Sequence, residues 1–117
     1  MFDDILEQKM HKIRELGKQH ARYRKIRLYL QHYRKILLAT LMKEKMLNSN
    51  TGKMDTAVAQ DREARVDPRY KQLIRRWAMA EEQELKYAWE KKMFEMKFDE
   101  WKTGMINQTI EAKKYGV

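Results

Sequence analysis

A chain of 117 residues has room for one domain of modest size. Charged residues make up 37%, against 4 Gly and 1 Pro, a composition of long helices that argues against a sheet. With no Cys, disulfides, thiolate metal sites and cysteine nucleophiles are excluded, and a net charge of +9 favours an anionic partner over a neutral one.

The first predicted element is a helix over about residues 3–47. Asp3 or Asp4 can cap it, Glu7 sits in its first turn, and NSNTG (48–52) supplies cap and turn residues at its end. Gly17 is its one weak point. Tyr23, Ile26, Leu30, Tyr33, Leu37 and Leu41 recur at steps of three and four, which places them on one helical face.

Residues 48–66 read as a polar linker, in which TAVAQDREAR can form a helix of one or two turns. The next element opens on VDPRY. Asp67 suits the N-cap, and Pro68 suits the first helical position, where a missing N–H costs nothing. From there a helix runs to about residue 114, weakened only at Gly104. Tyr70, Leu73, Trp77, Ala80, Tyr87, Phe94, Phe98, Trp101 and Met105 keep one heptad frame, interrupted by Glu84 and Lys91. Ile74, Ala78, Leu85, Trp89 and Met96 form a second row beside it.

These elements predict an all-α fold in a single domain: a long antiparallel helical hairpin or coiled coil. A lone hairpin covers one stripe of each helix, whereas the last helix carries two. The surplus predicts a homo-oligomer, with Tyr70, Leu73, Trp77, Tyr87, Trp89, Phe94, Phe98 and Trp101 at the interface.

Enzyme chemistry finds little support. His11, His20 and His32 share no face at ligand spacing, and none follows a Glu by three residues as di-iron bundles require. Thr51-Gly52-Lys53 lacks the upstream Gly of a phosphate-binding loop. Glu81, Glu82 and Glu84 read as a solvated face, or as partners for arginines of the other helix, rather than as a metal site. No cofactor is expected. MFDDILEQKM is acidic where a secretory leader is basic, and the uncharged runs are far shorter than a bilayer span. The expectation is a soluble, cytoplasmic protein.

Charge is unevenly spread. Residues 1–54 hold 13 Lys/Arg against 5 Asp/Glu, and residues 55–117 hold 13 against 12. Residues 16–43 carry eight basic residues and no acid. An ordinary solvated helix face mixes signs, because a Glu–Lys pair four residues apart adds a few tenths of a kcal/mol. Here that help is forgone over seven turns, which points to an external polyanion. On a helix, Arg14, Lys18, Lys25 and Lys43 gather on one side and Arg24 and Lys35 on the next, with Arg27 and Arg34 at the edge of the apolar stripe. Arg22, Arg24, Lys25, Arg27, Arg34 and Lys35 are therefore candidate phosphate contacts. Nothing in the pattern is a major-groove reader, so a single strand fits better than a specific duplex site. A membrane surface fits less well, because the basic face lacks a bulky apolar flank to insert. The alternative is a protein–protein module (scaffold, adaptor or inhibitor) whose basic face docks on an acidic protein.

The order of parts resembles the UvsY-like phage recombination mediators. The likeness spans roughly residues 25–105 and rests on short motifs: the basic pair Lys43-Glu44-Lys45, the turn Thr51-Gly52-Lys53, a polar linker, and a long aromatic helix from Tyr70 onward. The resemblance implies an all-helical oligomer that binds single-stranded DNA and serves recombination or replication. Its implied partners are a recombinase or a single-strand-binding protein. It adds Lys43, Lys45 and Lys53 to the candidate DNA contacts.

Overall fold

A computed structural model of the chain describes residues 2–46 and 52–114. The fold is all-α, with α1 (Phe2–Glu44), α2 (Ala57–Arg65) and α3 (Pro68–Lys114). Helix α1 starts one residue earlier than expected, so Asp3 and Asp4 lie inside its first turn, where they complement the positive end of the helix dipole. It stops at Glu44, with Lys45 and Met46 in a turn. Residues 48–51 of the expected NSNTG stop lie outside the described residues. Gly52 adopts φ 67°, a left-handed conformation that Gly enters without the steric cost of a Cβ.

The linker does contain a helix. Thr56 caps α2 by accepting the N–H of Ala59 at 3.1 Å, and Arg65 reaches back one turn to Asp61 at 2.8 Å. Asp67 caps α3 as its sequence predicts, accepting the N–H of Arg69 at 2.8 Å.

The chain divides into two compact units. In the unit Arg22–Glu84, the end of α1 meets α2 and the start of α3 in antiparallel order. Leu41, Ala64 and Tyr70, one from each helix, form the buried core, with Leu37, Leu38, Met42 and Ile74 packed around it. Arg69 ties the same corner together. Its guanidinium holds Glu44 at 2.5 and 3.3 Å and the Asp67 carboxylate at 3.1 Å. The second unit pairs Met1–Ala21 with Leu85–Val117. There Leu16 is buried, the Lys9 ammonium lies 5.2 Å from the centre of the Trp101 ring, and Phe98 stacks beside Trp101 at 6.0 Å.

Hydrogen bonds from the Arg69 side chain and backbone, with Lys45 3.7 Å away, hold the Asp67 carboxyl down at about 2. A carboxylate whose folded value lies below its unfolded one stabilises the fold above roughly pH 4 and stops doing so as pH falls toward 2. Urea midpoints should therefore fall steeply between pH 4 and pH 2. In Asp67→Asn the midpoint at pH 7 should be lower and this acid limb shallower.

Candidate nucleic-acid interface

All nine basic residues singled out from the sequence fall in the unit Arg22–Glu84. That unit holds 15 Lys/Arg against 8 Asp/Glu, while the other holds 11 against 9. Helix α1 presents Arg22, Arg24, Lys25, Lys35 and Lys43 as exposed side chains, and none of them forms an ion pair among the described residues. Arg22 lies 5.8 Å from the ring centre of its neighbour Tyr23. Lys53 is exposed just after Gly52, while Thr51 of that turn lies outside the described residues.

Arg27, Arg34 and Lys45 are engaged with groups of the other helices or the α2–α3 turn. Arg27 makes a two-pronged pair with Glu84, donating from Nε and, at 3.3 Å, from Nη2. Both side chains are mostly shielded, 25% and 13% exposed, and the Glu84 hydrogen bond raises the guanidinium pKa above its usual value. The Arg34 guanidinium lies over Trp77, 4.9 Å from the ring centre, a cation–π contact. Trp77 is half-buried, and its indole N–H is buried without a partner among the described residues. Lys45 approaches Asp67 at 3.7 Å. Positions 27 and 34 are one heptad apart on the edge of the stripe that faces α3, so both charges point across the hairpin rather than outward.

The tyrosines divide differently from the sequence expectation. Tyr23 is half-buried, but Tyr33, on the same stripe beside Leu30 and Leu37, is 38% exposed. Tyr29, outside that stripe, is 65% exposed, and its ring stacks on Tyr33 at 6.0 Å and 4°. Arg22, Lys25, Tyr29, Tyr33, Ile36 and Lys43 succeed one another at three- and four-residue steps, or two turns, and form one exposed ridge of α1. Sequence reasoning missed this ridge, although the Tyr pair four residues apart between basic residues was its signal.

The aromatic helix follows a similar division. Tyr70 and Leu73 are buried, and Trp77, Tyr87, Phe94, Phe98 and Trp101 are half-buried, so the first heptad stripe is covered to a large extent within one chain. Trp89 is 62% exposed, on a row with Leu85, Met93 and Met96 in the unit that includes Leu85–Val117. No helix of the described residues is long and apolar enough to cross a membrane. No family model, curated protein or solved structure matches the chain.

Proposed function

We propose that this chain is a non-enzymatic, oligomeric accessory protein that binds single-stranded DNA, in the manner of phage-type recombination mediators, and that it acts without a cofactor. The observation that carries the reading is the set of five exposed cations on α1 of the more basic unit that form no ion pair among the described residues. Like charges held together without acids repel, and a polyphosphate backbone relieves that repulsion while releasing its own counterions. A recombinase or a single-strand-binding protein would be its protein partner, and the cytoplasm its compartment. Titration of a labelled oligonucleotide tests the reading. Micromolar or tighter binding at low salt, with single strands preferred over duplex, is expected. No binding at low salt would hand the lead to an acidic protein as partner of the basic face.

Self-association belongs to the same reading, because weak contacts repeated around an assembly give high avidity. The exposed row Leu85, Trp89, Met93 and Met96 is the apolar surface that a second copy would cover. Trp89→Ala combined with Met96→Ala should bring the mass seen by light scattering down to the 14.3 kDa of one chain, with the helical circular dichroism unchanged. A variant that keeps the wild-type mass would remove this row from the interface.

A further inference from the structure

We infer that the groove flanking Tyr29 and Tyr33 is a stacking site for unpaired nucleobases, so that the strand is held by base faces as well as by phosphates. The inference rests on the single-strand reading above and names what part of the strand this groove takes.

Within the unit Arg22–Glu84, an open groove of about 410 Å³ runs between Tyr29, Tyr33 and Leu37 of α1 and Gln72, Leu73 and Arg76 of α3. That size falls in the range of roughly 300–1,000 Å³ typical of small-molecule sites. Leu30 and Arg76 also line a second groove, which extends past Ile26, Met79 and Gln83. The two tyrosine rings are parallel to within 4° and one helical turn apart, and Tyr29 keeps most of its surface in solvent. An aromatic side chain left this open buries little apolar area in the fold. Its flat face is available to a flat ligand.

The surroundings select which ligand. No Asp or Glu lines either groove. Lys25 stands one turn before Tyr29 on the same ridge, Arg76 faces it across the groove, and Lys43 follows about 15 Å beyond Tyr33 at 1.5 Å per residue. Cations on both sides of an aromatic shelf match the alternation of phosphate and base along a single strand. An apolar helix of a protein partner would instead strip water from Arg76 and Gln72 without pairing them, which is costly. Gln72 and Gln83 carry amides that can both donate to and accept from base edges.

The test compares a labelled oligothymidylate with an abasic strand of the same length and charge. Tyr29→Ala should bind the oligothymidylate about tenfold more weakly or worse, the scale of one lost base stack, and bind the abasic strand as the wild type does. Tyr29→Phe keeps the ring and should keep the affinity. Equal losses on the two strands, or none on either, would overturn the stacking site. If the wild type binds both strands equally and Tyr29→Ala changes nothing, the site falls while single-strand binding stands. If the wild type binds neither strand, both readings fall together. Tyr29 lies on an exposed ridge, so an unchanged circular dichroism spectrum identifies a folded variant.

Discussion

Reversal of two charges, Arg24→Glu with Lys25→Glu, is expected to weaken binding to a labelled single strand by roughly a hundredfold at about 50 mM salt. Each single-strand phosphate contact adds about 0.7 to the salt slope, which amounts to about 0.9 of a decade per contact at that concentration. Both side chains are exposed and neither pairs with a carboxylate among the described residues. The substitutions should therefore leave the urea midpoint and the assembled mass where they were. Anisotropy titrations read the affinity, and light scattering reads the mass. An unchanged affinity would show that the acid-free stretch of α1 is not where the strand binds. A loss of affinity together with a loss of helix would mean that these charges serve the fold.

Leu41→Ala should have the largest effect on stability. Leu41 is fully buried and meets Ala64 of α2 and Tyr70 of α3, so truncation opens a cavity at the point where three helices converge. Leucine truncations at such sites typically cost about 2–5 kcal/mol, part lost transfer energy and part cavity. A loss of about 3 kcal/mol, seen as a lower urea midpoint with a similar slope, is the expected result. Below its unfolding transition the variant should still bind a single strand, because the exposed cations lie on other faces of α1. A midpoint that barely moves would contradict the packing of α2 over this corner.

Much of this architecture is legible without coordinates. The scarcity of Gly and Pro makes long helices, and VDPRY marks the start of α3 because a cap and a first-turn proline coincide there. Helix α2 was open at that level. A nine-residue helix is marginal alone, and what stabilises it is the burial of Ala64 against Leu41 and Tyr70, a contact between residues far apart in the chain. The site was legible as a charge pattern but not as a set of side-chain directions. Glu84 interrupts the heptad stripe at a core position, and Arg27 borders the facing stripe. The reading of Glu84 as a partner for an arginine of the other helix matches this pair, while the choice of Arg27 needed the side-chain directions. The exposure of Trp89 and Tyr29 depends on which of several apolar rows the partner helix covers, and periodicity ranks such rows without choosing between them.

The most direct test is the salt dependence of single-strand binding by the full chain. From about 50 to 300 mM salt, the plot of log affinity against log salt concentration should fall with a slope of about −2 to −3.5, the value for three to five phosphate contacts at about 0.7 each. A slope near zero, or no binding at the lowest salt, would show that the exposed row of arginines and lysines on α1 does not hold phosphate.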